Sequence, residues 1–198
     1  MEERMSCLRL AKDFFGQAEP STTPEPVRTS MLFAAQATAE QTELLKLQVE
    51  LEEKSASKRW ANGPHKFAGL SLLDTLRSLI EIHEIAEADT LRLAMKISDK
   101  RYWCIKVRAL AASKNFQELD LMASNRTSPV GYDLVIEEFL KHGCYDYAKA
   151  YVPRVKGNEA QAAYYRRMGL EREAQEALQQ RGDRGGAGAL FQNFLRGM

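Results

Sequence analysis

The chain has 198 residues, enough for one or two domains with a sizeable core. Hydrophobic residues make up 44% and charged residues 28%, the balance of an ordinary globular protein. The formal net charge is +1, so no global field points to nucleic acid or an anionic membrane, and no apolar run approaches the roughly 20 residues that span a bilayer.

The N-terminus MEERMSCLRL sets charges among its apolar positions and has no signal-peptide core. Cys7, Cys104 and Cys144 are odd in number and widely spaced. They read as reduced, mostly buried thiols of a cytosolic protein rather than a disulfide framework. Asn125-Arg126-Thr127 matches a glycosylation sequon, which carries no meaning in that compartment.

In chain order, residues 1–16 carry Met5, Leu8, Leu10, Ala11, Phe14 and Phe15, which predicts a short amphipathic helix. Residues 17–27, QAEPSTTPEPV, contain three prolines and predict an exposed loop. Residues 28–60 lack Gly and Pro, and their Ala, Gln, Glu, Leu and Lys favour a helix about 45 Å long. Phe33, Ala37, Leu44, Leu47 and Leu51 recur along it at helical spacing. Asn62-Gly63-Pro64 should end it.

Residues 68–180 then read as a helical-hairpin solenoid, in which one unit recurs from about Ile80 to Leu178. IEIHEIAEADTLRLAMK, LAASKNFQELDLMA, FLKHGCYDYAKAYV and YYRRMGLEREAQEAL each read as a helix end, a short polar or glycine turn, and a second helix. Leu91, Leu119, Ala148 and Ala174 are taken as equivalent positions. A single hairpin cannot bury its own apolar face, so neighbours must stack. The expected fold is all-α, an α-solenoid of stacked helical hairpins with one long N-terminal helix. Ser71 should N-cap one helix, with Asp74 in its first turn. Ser98-Asp99 should open another, and Ser128-Pro129 a third. Gly143, Gly157 and Gly169 punctuate the later turns. Residues 181–198 read as a glycine-rich hinge, RGDRGGAG, followed by a short helix, ALFQNFLRGM.

Catalytic signatures are weak. His65, His83 and His142 are far apart, His83-Glu84 lacks a second His four residues on, and no CxxC occurs. Cys144 and His142 lie on neighbouring turn positions with no orienting carboxylate; a small core thiol and a helix-end cation explain them better. The stretch with Gly182, Gly185, Gly186 and Gly188 lacks the strand and Lys-Ser/Thr of a phosphate cradle. The reading is therefore non-enzymatic, with no cofactor and no metal. A small helical hydrolase using Cys144 or a histidine is the enzyme-class rival.

Two features suggest a partner instead. Lys100 and Arg101 stand in the first turn of a helix, where the dipole disfavours cations, with Tyr102 and Trp103 following. Ala34, Ala35, Ala37, Thr38 and Ala39 form a small-residue cluster. It serves helix propensity or close approach of a partner, and residue types alone leave these two readings level.

FAGLSLLDTLRSLI (67–80), SDKRYWCIKVRALA (98–111), SPVGYDLVIEEFLKHG (128–143) and YDYAKAYVPRV (145–155) resemble the C-terminal domain of the vacuolar protein sorting-associated protein 16 family. ATAEQTELLKLQVELEE (37–53) resembles the helix preceding those segments. The resemblance covers roughly 30–180, while the SNRTSP and NEAQAAYY regions and the proline-rich loop depart from it. It implies a subunit of the HOPS and CORVET tethering complexes, on late endosome, lysosome or vacuole membranes. Its α-solenoid would recruit a Sec1/Munc18-family protein, vacuolar protein sorting-associated protein 33, for SNARE-mediated fusion. Family members also carry an N-terminal β-propeller, so this chain reads as a C-terminal fragment. The contact carried over falls on Ala37, Thr38, Gln41 and Leu44 of the long helix and on Lys100, Arg101 and Tyr102. A paralogous family pairing with another Sec1/Munc18 isoform is the runner-up. Self-association through the long helix is a further alternative, made less fitting by Glu40, Gln41 and Gln48 in its apolar stripe.

Overall fold

Three residues suffice to reverse this chain between helices, and the same closure does so repeatedly. A computed structural model describes residues 2–17, 24–58, 60, 64–125 and 127–184, and among them there is no strand. The protein is all-α. Its first hairpin element pair in the repeat is α3 (Leu72–Glu81) and α4 (Ile85–Ala94). The others are α5 (Asp99–Ala112) with α6 (Phe116–Asn125), α7 (Asp133–Lys141) with α8 (Tyr145–Tyr151), and α9 (Asn158–Arg167) with α10 (Glu171–Arg184).

Each turn within these hairpins holds one residue at positive φ: His83 (67°), Lys114 (58°), Gly143 (73°) and Gly169 (76°). The next amide reaches back to a carbonyl one turn inside the helix: Glu84 to Leu79, Asn115 to Leu110, Cys144 to Phe139 and Leu170 to Tyr165, each at 2.9 Å. The amide of the positive-φ residue bonds the carbonyl after that one, as in His83 to Ile80 at 3.0 Å. This is the Schellman closure, which satisfies carbonyls left open by the end of a helix. The residue that closes it also starts the next helix, because its carbonyl accepts from an amide four residues on, as in Ala148 to Cys144.

The turns set the register of the repeat. Five residues after each positive-φ residue stand Ala88, Leu119, Ala148 and Ala174, all fully buried. Leu91 was expected in this row, but Ala88 occupies it; Leu91 is buried one turn further along. Seven residues before each turn stand Leu76, Val107, Ile136 and Ala162, also fully buried.

The chain divides into two compact units, Met1–Ser98 and Asp99–Met198. In the first, α1 (Glu2–Gly16) packs along α2 (Glu25–Lys58). A shallow groove brings Met5 and Arg9 against Val49 and Glu53, and another brings Phe15 against Val27 and Met31, so the two helices run antiparallel. No residue of α1 is buried, and Cys7 is exposed, unlike the buried thiol expected.

One polar row of α2 clamps the segment that leads to α3. Gln48 is fully buried. Its amide nitrogen donates to the Leu70 carbonyl (2.9 Å) and Thr75 Oγ1 (2.8 Å), and its oxygen accepts from the Gly69 amide (3.1 Å). One turn on, Glu52 Oε1 accepts from the amides of Phe67 and Ala68, both at 2.7 Å. Another turn on, buried Ser55 accepts from the His65 amide at 2.7 Å. An extended segment has no helix or sheet to satisfy its amides, and these side chains do so. Phe67 is thereby held in the core, with its ring centroid 6.1 Å from that of Trp60.

In the second unit, hairpins stack as in an α-solenoid, one row formed by α5, α7 and α9 and the other by α6, α8 and α10. Tyr151 of α8 donates to Asp120 of α6, at 2.6 Å to Oδ1. Arg154, in a 3₁₀ turn (Val152–Arg154), lies over the rings of Tyr132 and Tyr151, 5.3 Å from each centroid. Arg167 of α9 makes a bidentate pair with Glu137 of α7, and Tyr164 donates to Asp133 at 3.2 Å. Lys149 of α8 reaches Glu173 of α10 at 2.7 Å. Phe139 fills the centre, stacked on Tyr147 at 5.2 Å.

Several boundaries differ from expectation. The long helix starts at Glu25 because the Pro24 carbonyl accepts from the Arg28 amide, and Pro26 lies in the first turn, where no amide donor is needed. Ser71 caps α3 as expected, accepting from the Asp74 amide at 3.1 Å. Ser128-Pro129 does not open α7, which begins at Asp133. Gly131 at φ 87° breaks the helix, and Ser128 turns its hydroxyl onto the Gly131 carbonyl. Residues 181–184 continue α10. Residues 18–23, 61–63 and 185–198 lie outside the described residues, and with them most of the loop, the Asn62-Gly63 stop and the final helix.

Gln48→Leu strips the Gly69 amide, the Leu70 carbonyl and buried Thr75 of their partner. It is expected to cost about 2–3 kcal/mol in urea unfolding. Burial first, then the bond to Asp120, pushes the Tyr151 phenol above its usual value of 10. A raised folded value means that the neutral phenol contributes stability below about pH 10 that is lost as pH rises. Tyr151→Phe should lower stability by about 1–2 kcal/mol at pH 7 and flatten the alkaline fall of Tm in a series of melts.

Candidate partner-binding surface

The residues proposed from sequence fall on α2 of the first unit and α5 of the second, and each set is described by itself. Along α2 the apolar stripe changes character. Leu44 (4% exposed) and Leu51 (5%) are buried, and Leu47 is half-buried. Four residues apart at the other end, Ala37 is exposed and Phe33 is 75% exposed. Leu32 (56%), next to Phe33 in the chain, is also open. Thr38 is half-buried and its hydroxyl folds back onto the Ala34 carbonyl at 2.7 Å, which removes a polar group from that face. Gln41 is exposed and borders a groove with Arg4, Cys7 and Leu8 of α1. Leu44 therefore supports the helix from beneath, while Ala37 and Gln41 reach solvent.

Large exposed apolar side chains on consecutive turns are what a partner site offers. The sequence pattern placed Phe33 in the stripe and gave no sign of its exposure.

On α5, Lys100 and Arg101 are exposed and Tyr102 is buried at 6%. Among the described residues no ion pair engages Lys100 or Arg101. Cations in a first helical turn oppose the dipole by a few tenths of a kcal/mol, up to about 1 kcal/mol. An external anionic group would remove that cost.

Little else invites chemistry. Among the described residues no cluster of His, Cys, Asp and Glu could hold a metal ion. Cys144 Sγ lies 3.8 Å from the His142 carbonyl and not against its ring, which instead faces Phe116 at 5.6 Å. No helix of the described residues is long and apolar enough to cross a membrane.

The family model described as "Vps16, C-terminal region" matches residues 1–193. The chain belongs to that family. It is 34% identical over 114 residues to the vacuolar protein sorting-associated protein 16 homolog of Drosophila melanogaster, covering 57% of this chain and 14% of that protein. It is 32% identical over 108 residues to the homolog of Dictyostelium discoideum, 54% of this chain and 13% of the other. It is 28% identical over 193 residues to protein VACUOLELESS1 of Arabidopsis thaliana, 98% of this chain and 20% of the other. The chain thus spans a fifth or less of these relatives. The names of the first two relatives connect them with vacuolar protein sorting.

Phe33→Ala provides a check on the open face. A buried Phe would cost about 3–5 kcal/mol on truncation. Here urea unfolding should change by no more than about 0.5 kcal/mol, as for an uncovered surface position.

Proposed function

We propose that this chain is the C-terminal, non-enzymatic adaptor part of a HOPS/CORVET tethering subunit. It holds a Sec1/Munc18-family protein, vacuolar protein sorting-associated protein 33, close to the SNAREs that fuse endosomes with lysosomes or vacuoles. It acts from the cytoplasm, peripheral to those membranes and among the other subunits of the complex, and needs no cofactor. The family match over residues 1–193 carries the reading. The open Phe33–Ala37 face of α2 and the exposed Arg101 of α5 lend it physical support.

On this reading Ala37 is small so that a partner backbone or ring can reach the helix closely, with Thr38 and Gln41 at the edge. Leu44 and Tyr102, both buried, hold their helices in place beneath the contact. Lys100 and Arg101 meet partner carboxylates. Such interfaces draw most of their energy from a few apolar and arginine anchors.

Titration calorimetry with a purified endolysosomal Sec1/Munc18 subunit tests this. A one-to-one complex of sub-micromolar Kd is expected. Ala37→Asp buries an unpaired charge in the contact and should weaken binding at least about a hundredfold. Arg101→Glu inverts charge complementarity and should weaken it about tenfold or more. Wild-type affinity in both folded variants would sink the assignment, and tighter binding to the paralogous isoform would move it to the sister family. The uncovered apolar row favours one further reading, self-association through α2. A mass that rises with concentration in light scattering would establish that instead.

A further inference from the structure

α5 is the most enclosed helix of the second unit, and what it leaves open is narrow. Tyr102, Trp103, Val107, Ala109, Leu110 and Ala111 are buried around most of its circumference. The side left uncovered carries Arg101, Cys104, Ile105, Arg108 and Ala112, at spacings of three, four, seven and eleven residues. These fall within one strip about 100° wide at 100° per residue. Arg101 and Arg108 are exposed at either end, and Cys104 and Ile105 lie half-buried between them. Seven residues put the two guanidinium stems about 10 Å apart along the axis.

The two arginines of this strip differ from Arg154, Arg166, Arg167 and Arg172 of the same unit. Arg166 pairs with Glu171, Arg167 with Glu137 and Arg172 with Glu176, while Arg154 rests on tyrosine rings. Among the described residues no such partner meets Arg101 or Arg108. α5 itself carries four cations against the single acid Asp99.

We propose that this strip is a docking surface for an acidic face of a partner protein, with Arg108 as a second anchor two turns beyond Arg101. Each arginine is suited to a bidentate carboxylate contact, and an apolar side chain of the partner fits over Ile105 between them. Charge complementarity selects the occupant: two arginines flanking a recessed apolar centre suit spaced carboxylates better than the broad, uniformly basic surface that phosphate backbones and lipid headgroups require. The inference deepens the adaptor reading, since it takes the same Sec1/Munc18 partner and adds a residue and a chemistry to the contact.

Cys104 supplies a reporter inside the strip. In a Cys7→Ser, Cys144→Ser background, its labelling by N-ethylmaleimide is followed with and without the purified Sec1/Munc18 subunit. Calorimetry is run in parallel on Arg108→Glu, Arg108→Ala and Arg108→Lys at rising NaCl, with circular dichroism confirming the fold. Expected are protection of Cys104 in the complex, about tenfold or greater weakening in Arg108→Glu, partial retention in Arg108→Lys, and affinity that falls with salt. Wild-type affinity in Arg108→Glu with unprotected Cys104 would overturn this surface while leaving the adaptor reading intact. No binding of the subunit to the unmodified chain would overturn both. Arg108-dependent binding to phosphatidylserine vesicles or duplex DNA, with none to the subunit, would replace the protein partner by that ligand.

Discussion

The constraint on which the repeat depends is the three-residue reversal between helices. A helix that stops leaves carbonyls without donors, and a second helix must begin almost at once for the hairpin to close. One residue in the left-handed region meets both needs, since its own amide and the next one turn back onto the helix just ended. The same geometry then delivers a buried residue five positions later, which is why Ala88, Leu119, Ala148 and Ala174 share an environment despite different sequence surroundings. Gly143 and Gly169 adopt this conformation without a side-chain penalty, whereas His83 and Lys114 adopt it in spite of one. Geometry at this position is thus maintained even where glycine is missing.

Once hairpins exist, they are joined by two kinds of interaction. In the second unit the joints are aromatic and charge-assisted: Tyr151 on Asp120, Arg167 on Glu137, Lys149 on Glu173. The Arg167 guanidinium holds the Glu137 carboxyl below its ordinary range, while burial and Asp133 push the Tyr164 phenol up to about 12. Most of these groups are partly exposed, so the pairs serve alignment of neighbouring repeats more than net stability. In the first unit the joint is the row Gln48, Glu52 and Ser55, which replaces the missing secondary structure of the segment before α3. Here Gln48 and Ser55 are buried and Glu52 half-buried, all three accept from backbone amides, and their loss leaves those amides without these partners.

Binding surfaces arise where this packing stops. α1 runs along another side of α2, which leaves Phe33 and Ala37 open, and α5 buries most of its circumference, which leaves Arg101 and Arg108 exposed. Both surfaces follow from how much of a regular element its neighbours can reach. A helix that is long, or one whose last strip faces no neighbour, presents side chains already held in place by the buried remainder of the same helix. That is a low-entropy way to offer anchors to a partner.

Much of the fold was legible in the sequence because its determinants are local. Helical apolar spacing, Ser71 before Asp74, and the polar or glycine turns depend on residues within one or two turns of each other, and the hairpins fall where these signals lie. Register was legible only in part, since Leu91 and Ala88 are both apolar and only the turn geometry distinguishes them. The same holds at Ser128-Pro129, where a valid start signal was overridden by Gly131. Of the candidate site, the sequence pointed to Ala37 and Arg101 by type and position, and both reach solvent. It could not show that Leu44 and Tyr102 are buried, that Phe33 is open, or that Arg108 shares a strip with Arg101. By itself, then, the sequence determined the helical-hairpin repeat, because backbone hydrogen bonding is settled among near neighbours. Only the tertiary structure decided what Gln48 does and which faces stay uncovered. The partners of Gln48 stand 21, 22 and 27 residues away, and exposure is a property of everything that packs around a residue.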